Sequence, residues 1–187
     1  MSGLIYNMKI ILIGIQGSGK STQGNLLSEK LKIPYLSTGH IFRDMAKEKT
    51  PIGRYIKETI NAGFLVPDDK TLSIVSEYLS RKEYANGYIL DGFPRTVTQA
   101  EEFANGISAV VYLRVSDKEA LWRLAGRRDG DVREDNTLDA IMKRINLFHE
   151  KTRPVIDFYR HKRVLHEVDG EQTIEEIHKE ILDKLNV

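Results

Sequence analysis

Residues 9–22 read KIILIGIQGSGKST, an apolar run that leads into a glycine-rich turn, followed by one lysine and two hydroxyl side chains. From Gly14 to Ser21 the turn matches the pattern G-x-x-x-x-G-K-[ST] and stands between a predicted strand and a predicted helix, as that motif requires. Its glycines let successive backbone N–H groups point at phosphate oxygens, next to the partial positive charge of a helix N-terminus. Lys20 can then reach the β and γ phosphates, and the Ser21 hydroxyl can ligate Mg²⁺. The motif predicts a site for a nucleoside triphosphate and leaves the acceptor open.

The remainder of the chain alternates short apolar segments with longer segments of helical spacing. Strands that alternate with helices predict an α/β fold with a mostly parallel sheet covered on both faces. We predict strands at 9–14, 35–36, 88–91, 109–115 and 164–168, and helices that include 20–31 and 173–185, the latter with Thr173 as its N-cap.

Two stretches interrupt this alternation. Residues 39–81 show helical patterning without a convincing strand, and glycine and proline punctuate them. Arg127–Arg133 is a polar loop between two predicted helices, with almost no side chain suited to a core. We expect a helical insertion in the first stretch and an exposed flap in the second, both within a single domain of residues 1–187.

Composition excludes several classes of protein and of site. The chain has 187 residues, of which 28 are Lys or Arg and 27 are Asp or Glu, so a dedicated nucleic-acid binder is not expected. Its 41% hydrophobic content indicates a folded domain. There is no cysteine, which excludes disulfides and cysteine-ligated zinc, and the five histidines lack metal-ligand spacing. With no long apolar run, signal peptide or heptad pattern, we expect a cytoplasmic monomer without a membrane partner.

A carboxylate ends the predicted strand at residues 88–91. Asp91 follows the apolar run Tyr88-Ile89-Leu90. A phosphate-binding loop of this type needs a carboxylate on a neighbouring strand to order Mg²⁺. Asp91 is therefore a candidate for the metal site, through a water molecule, together with Ser21. The alternative interpretation is a turn residue before Gly92.

Several short motifs follow one another along nearly the whole chain from Met8. They are the phosphate-binding loop with Thr22-Gln23, Ser37-Thr38-Gly39 with Arg43, Ala62-Gly63-Phe64-Leu65-Val66-Pro67, Asp91-Gly92-Phe93-Pro94-Arg95 with Gln99, Arg123-Leu124-Ala125-Gly126-Arg127 with Arg133, and Asp135-Asn136 before Arg144. In this order they resemble the nucleoside monophosphate kinases and, within that family, the adenylate kinases.

The resemblance implies a P-loop kinase core with a five-stranded parallel sheet, a helical monophosphate-binding insertion at about residues 37–66 and a lid at about residues 127–133. A lid of this length is similar to that of the short-form enzymes, which lack the longer and sometimes zinc-bearing flap, so no structural zinc is expected. The implied activity is Mg²⁺-dependent phosphoryl transfer from ATP to AMP, which gives two ADP.

The resemblance also assigns roles to individual residues. Arginine suits such roles because it stays charged and binds phosphate through two parallel hydrogen bonds. The catalytic candidates are Lys20, Arg95, Arg127, Arg133 and Arg144. The candidates for binding ATP are Gly17, Ser18, Gly19, Lys20, Ser21, Thr22, Arg123, Arg127 and Gln172. The candidates for binding AMP are Thr38, Arg43, Phe64, Leu65, Val66, Gly92, Phe93, Arg95, Gln99, Arg133 and Arg144.

The acceptor's base is assigned, by the same resemblance, to Thr38, the backbone of residues 64–66 and Gln99. A glutamine offers a paired donor and acceptor to the adenine edge, which favours AMP. Two alternatives stay open at this point. One is a kinase for another nucleoside monophosphate, such as CMP, UMP or dAMP, and the other is a nucleotide-binding regulator that has lost turnover.

Four positions depart from the family's usual pattern. Gln16 stands in place of proline, Ser21 in place of glycine, and His40 and Asn136 in place of two aspartates. Because two carboxylates near the reaction centre are replaced, any loss of turnover is expected to arise from weaker Mg²⁺ ordering or lid closure.

Overall fold

A computed structural model describes residues 7–103, 106–126 and 137–187, and these residues contain a five-stranded sheet. The strands are β1 (Lys9–Ile13), β2 (Tyr35–Ser37), β3 (Tyr88–Asp91), β4 (Ala109–Arg114) and β5 (Leu165–Asp169). They pair in parallel in the order β2-β3-β1-β4-β5. The predicted α/β fold with a five-stranded parallel sheet is confirmed.

Helices connect the strands and cover both faces of the sheet. The α-helices of the described segments are α1 (Lys20–Leu31), α2 (Thr38–Met45), α3 (Pro51–Asn61), α4 (Asp68–Leu79), α5 (Val97–Glu102), α6 (Asp117–Ala125), α7 (Leu138–Leu147), α8 (Arg153–His161) and α9 (Ile174–Leu185). A 3₁₀ turn follows α4 at Lys82–Tyr84, and a π-helical turn at Phe148–Thr152 joins α7 to α8. None of the helices in these segments is long and apolar enough to cross a bilayer.

The central strand β1 contributes to both sides of the core. Ile10 and Leu12 pack with α1 and α9 on one face, whereas Ile11 and Ile13 pack with the helices on the other. Each of these four side chains is at most 3% exposed. A strand covered on both faces must be apolar at every position, which explains the unbroken run at the start of the phosphate-binding motif.

Most predicted element bounds agree with the structure to within one residue. The helix predicted at 20–31 is α1, and the strand predicted at 88–91 is β3. Thr173 caps α9, because its hydroxyl accepts a hydrogen bond from the backbone N–H of Glu176 while the Glu176 side chain accepts one from the Thr173 N–H. Such a reciprocal pair satisfies two of the free donors at a helix start.

Between β2 and β3 the chain forms α2, α3, α4 and the 3₁₀ turn, and no strand. The helical patterning of residues 39–81 corresponds to these elements. The lid predicted at about residues 127–133 lies outside the described residues.

The carboxyl ends of three strands lie side by side. Asp91 at the end of β3 pairs with Leu12 of β1 on one side and with Ser37 of β2 on the other. The phosphate-binding loop begins directly after β1, and α2 begins directly after β2. Open parallel sheets bind ligands at this edge. The fold therefore brings the loop, Asp91 and the start of the helical segment together.

Replacing Ile181 with alanine is expected to lower the free energy of unfolding by about 2–5 kcal/mol. Ile181 is 0% exposed on the inner face of α9, so truncation leaves a cavity against the sheet. Ile174 on the same helix is 50% exposed, and Ile174→Ala is the matched control, with an expected change within about 0.5 kcal/mol. Urea unfolding of both variants measures the difference. Equal destabilisation by the two substitutions would contradict the assignment of α9 to the core.

Candidate active site

A cavity of about 210 Å³ opens at the carboxyl edge of the sheet. It is lined by the phosphate-binding loop, the start of α2, the loop between α3 and α4, the segment after β3, and α7. Fifteen of the predicted site residues line it: Gly17, Gly19, Lys20, Ser21, Thr22, Arg43, Phe64, Leu65, Val66, Asp91, Gly92, Phe93, Arg95, Gln99 and Arg144. The fold thus brings residues that are distant in sequence to one cavity.

The phosphate-binding loop has the backbone that its glycines allow. Gly17 and Gly19 have φ angles of 91° and 92°, a region that side-chain-bearing residues rarely adopt. No side chain caps the first turn of α1, so its N–H groups can serve a bound anion. The Lys20 ammonium donates to the carbonyls of Gly14 and Ile15, at 2.7 and 2.8 Å. The loop therefore holds a positive charge where a phosphate would enter.

Asp91 is only 5% exposed, and its two carboxylate oxygens differ. Oδ2 accepts a hydrogen bond of 2.7 Å from the Tyr35 hydroxyl, whereas Oδ1 is buried and has no hydrogen-bond partner among the described residues. Burial raises the pKa of Tyr35 well above its ordinary value and the charge of Asp91 raises it further, so the hydroxyl keeps its proton and donates. A buried carboxylate oxygen without a donor, in a cavity that also contains the Ser21 hydroxyl, fits the oxygen ligands that Mg²⁺ prefers.

Three guanidinium groups face the same cavity, those of Arg43, Arg95 and Arg144. Burial lowers the pKa of Arg95, Asp91 raises it, and the other two arginines lower it, although arginine remains charged in proteins. The Arg95 Nε donates to the Gly92 carbonyl at 2.7 Å, which fixes the side chain. This concentration of positive charge suits a phosphate group.

Arg144 connects two walls of the cavity. One terminal nitrogen donates to Gln16 Oε1 at 3.3 Å, and the other donates to the Ile60 carbonyl at 2.7 Å. Gln16 belongs to the phosphate-binding loop and Ile60 to α3. The guanidinium therefore lies between the loop and the helical segment.

Gln99 is 2% exposed and held at both ends of its amide. Its Oε1 accepts from the backbone N–H of Arg95 at 2.7 Å, and its Nε2 donates to Asp68 Oδ1 at 2.7 Å. The other oxygen of Asp68 accepts from the Thr96 hydroxyl at 3.0 Å. A glutamine amide has two donors and two acceptor positions, so one of each remains after these bonds. Its orientation is fixed before any ligand binds.

The loop after α3 contacts α7 as well as the cavity. Gly63 has a φ of 77°, and a methyl group there would lie 2.8 Å from the Ala140 carbonyl oxygen. The Lys143 ammonium lies 3.4 Å from the centre of the Phe64 ring, a cation–π contact. Phe64 is nevertheless 50% exposed, so much of its ring remains accessible.

The structure does not bring every predicted residue into the cavity. Ser18 is a fully buried residue of the loop itself, and Thr38 is buried with its hydroxyl donating to the Asp91 carbonyl at 3.2 Å. Arg123 instead pairs with Glu119 on α6, at 2.7 Å, and Gln172 hydrogen-bonds Glu180. Of the remaining site predictions, Arg127 and Arg133 lie outside the described residues, as does Asn136. His40 is exposed on α2.

Several residues that shape the site were not predicted from the sequence. They are Tyr35, Ile60, Asp68, Phe148 and Thr152, and the contact of Gln16 with Arg144. Thr152 lies in the π-helical turn and donates to the Arg95 carbonyl at 2.9 Å. Phe148 lines the cavity, and each of the others acts through a contact between segments distant in sequence, which no local pattern indicates. The one sequence feature that singled out any of these residues is that Gln16 stands where the family usually has proline.

Comparison with protein families gives a match over most of the chain. The family model described as adenylate kinase matches residues 12–164. That range includes the end of β1, the whole of β2 to β4, the phosphate-binding loop and every arginine that lines the cavity.

Individual relatives are similar over nearly their whole length. The adenylate kinase of Caldicellulosiruptor bescii is 35% identical, over 96% of this chain and 100% of its own. That of Clostridium botulinum, strain 657, is 37% identical over 91% and 94%, and that of Staphylococcus aureus, strain Mu50, is 35% identical over 96% and 99%. The resemblance found in the sequence is thereby confirmed, and this chain belongs to the adenylate kinase family.

Proposed function

We propose that this protein transfers the γ-phosphoryl group of Mg²⁺-bound ATP to AMP and so forms two molecules of ADP. The observation that carries the proposal is one cavity in which Lys20 and the start of α1 face the guanidinium groups of Arg43, Arg95 and Arg144. Two phosphate sites that meet in one space are what transfer between two nucleotides requires. The kinship with the adenylate kinases supports the same substrates.

Phosphoryl transfer needs alignment and charge neutralisation more than covalent chemistry by the protein. The N–H groups of residues 17–22 would hold the donor's phosphates, with Lys20 moving from its loop carbonyls to the phosphate oxygens. Arg43 and Arg95 would hold the acceptor's phosphate. Arg144 would neutralise the group in transit, because it lies between the loop and α3. No general base is required.

Ser21 and Asp91 would hold Mg²⁺, the former through its hydroxyl and the latter through water. The Oδ1 of Asp91, which has no hydrogen-bond partner in the described segments, supports this assignment. When bound, the ion would neutralise the charge that develops on the phosphates during transfer. Within the described segments no cluster of three or more histidine, cysteine or acidic side chains could form another metal site.

The assignment of residues to the lid and to the site of the donor's base is based on the sequence resemblance. Arg127 and Arg133 are proposed to close over the transferred group, and Arg123 and Gln172 are proposed to lie near the donor's base. We propose a single domain, with the insertion at about residues 37–66 and the lid at about residues 127–133. The alignment with the C. bescii protein runs over 214 positions, more than the 187 residues of this chain, which supports a shortened segment somewhere in the fold. A cytoplasmic monomer remains a prediction from composition.

Gln99 is proposed to hydrogen-bond the adenine of AMP. It would use the amide donor and the acceptor position that its bonds to Asp68 and Arg95 leave available. Gln99→Leu is expected to raise the KM for AMP by about 10- to 100-fold with a smaller effect on kcat, because base contacts position the acceptor. Initial rates at saturating ATP measure both constants. Thr98→Leu, at an exposed position of the same helix, is the control. If the KM for AMP were equal in the two variants, Gln99 would have no role in recognition of the base.

The proposed function is tested by ADP formation with ATP and Mg²⁺ and a panel of acceptors, namely AMP, CMP, UMP, dAMP and none. Rapid turnover with AMP and slow turnover with the pyrimidine nucleotides is expected. Preference for CMP or UMP would establish a different monophosphate kinase and would displace Gln99 from its role. No turnover with any acceptor, together with tight binding of a linked bisubstrate analogue, would establish a nucleotide-binding protein without catalysis.

A further inference from the structure

Tyr35 is the first residue of β2 and lies outside every motif that assigns the active site. Its ring packs against the backbone of α1 at Gly24, where a methyl group would lie 2.4 Å from a ring carbon. Glycine is a poor residue for a helix interior, and here it gives the ring the space it needs. The close contact between Gly24 and the ring holds Tyr35 in one position.

The hydroxyl of Tyr35 reaches across to the end of the neighbouring strand. It donates to Asp91 Oδ2 at 2.7 Å, across 56 positions of the sequence. Tyr35 itself pairs with Ile89 in the sheet, two residues before Asp91, so the two side chains start from adjacent strands. A buried carboxylate is stabilised by each donor it accepts from, and this bond is charge-assisted.

The hydrogen bond makes the two oxygens of Asp91 unequal. With Oδ2 held by the hydroxyl, rotation of the carboxylate is restricted, and Oδ1 is the oxygen that has no hydrogen-bond partner within the described part of the chain. Asp91 and Ser21 both line the cavity, so the carboxylate lies at the proposed metal site.

We infer that Tyr35 is a positioning residue that fixes the Asp91 carboxylate, so that Oδ1 is reserved for the hydrated Mg²⁺ of the bound nucleotide. This inference rests on the proposed function for the identity of the ion. It gives Gly24 and Tyr35 a role that is separate from the phosphate-binding motif, since neither needs to touch the nucleotide.

Tyr35→Phe removes the hydroxyl and keeps the ring, so it tests the hydrogen bond alone. ATP binding is titrated by calorimetry without AMP, at a series of Mg²⁺ concentrations and in the absence of Mg²⁺. Mg²⁺ is expected to raise the affinity for ATP, and we define the Mg²⁺ requirement as the concentration that gives half of this increase. In Tyr35→Phe this concentration is expected to rise by about 10- to 100-fold, while the affinity for metal-free ATP stays unchanged. A purely structural role of the tyrosine would instead weaken both affinities together.

Three further variants make the test specific. Tyr159→Phe is the matched control, because Tyr159 is 3% exposed on α8 and its hydroxyl has no hydrogen-bond partner among the described residues. Gly24→Ala keeps the hydroxyl but displaces the ring, and it is expected to reproduce the Mg²⁺ defect. In an Asp91→Asn background, Tyr35→Phe is expected to add no further loss.

An unchanged Mg²⁺ requirement in Tyr35→Phe would overturn the inference, as would an equal loss of affinity for ATP with and without Mg²⁺. ADP formation by the wild-type protein is measured in parallel with AMP as acceptor. Its absence would contradict the proposed function, whereas the ATP titration still decides the role of Tyr35. Normal ADP formation by the wild type and a normal titration by the variant would contradict the inference alone.

Discussion

Arg144→Ala is expected to lower kcat for ADP formation from ATP and AMP by about 10³-fold or more, the range in which loss of a transition-state arginine falls. The guanidinium lies between the phosphate-binding loop and α3, held by Gln16 and by the Ile60 carbonyl, and faces the cavity that both phosphates would share. In the proposed role its charge would act mainly on the group in transit, so the KM values for the two nucleotides are expected to change much less than kcat.

Two comparisons make this result specific to Arg144. Arg144→Lys keeps the charge but loses the planar fork, and an intermediate loss of kcat is expected. Arg160→Ala removes an arginine on α8 that pairs with Asp157 and Glu167 at the surface, and kcat is expected to remain near the wild-type value. Steady-state rates at saturating substrates measure all three variants. A kcat for Arg144→Ala close to that of Arg160→Ala would contradict the proposed role.

Lys20→Met is expected to lower kcat/KM for ATP by about 10²- to 10³-fold. The ammonium group donates hydrogen bonds to the carbonyls of Gly14 and Ile15, so it lies at the loop before any phosphate binds. Methionine has a similar length and no charge, so the loop loses its one side-chain cation without a large change in volume. The loss is expected in the chemical step as well as in ATP binding.

Lys30→Met is the matched control, since Lys30 is exposed in the last turn of the same helix. Rates over a range of ATP concentrations give kcat and KM, and thermal unfolding checks that both variants are folded. If Lys20→Met retained the kcat/KM of Lys30→Met, the phosphate-binding loop could not be the donor site.

The fold was predictable because its decisive signals are local. The run at β1 is apolar at every position since both faces of the strand are covered, and the glycine-rich turn fixes where the strand ends and α1 begins. Asp91 could be singled out for the same reason, because it stands directly after the apolar part of β3. The parallel arrangement then follows from the alternation of strands and helices.

The contacts that tune the site could not be predicted, since they join segments far apart in sequence. Nothing around Tyr35 indicates that its hydroxyl meets Asp91, and nothing around Asp68 indicates that it holds the Gln99 amide. The pair of Arg123 with Glu119 is different, because the two residues lie four positions apart on α6 and this spacing is visible in the sequence. Motifs predicted which residues gather at the cavity, but not how each side chain is held there.

Transfer of a phosphoryl group between two nucleotides is the reaction that we propose for this protein. The most direct test uses ATP labelled with radioactive phosphorus in its γ-phosphate, with unlabelled AMP, Mg²⁺ and the purified protein, and separates the products at early times. We expect the label to appear in ADP made from AMP, at the β-phosphate, with little formation of inorganic phosphate. Label that remained in ATP, or that appeared as inorganic phosphate at the same rate with and without AMP, would rule out this transfer.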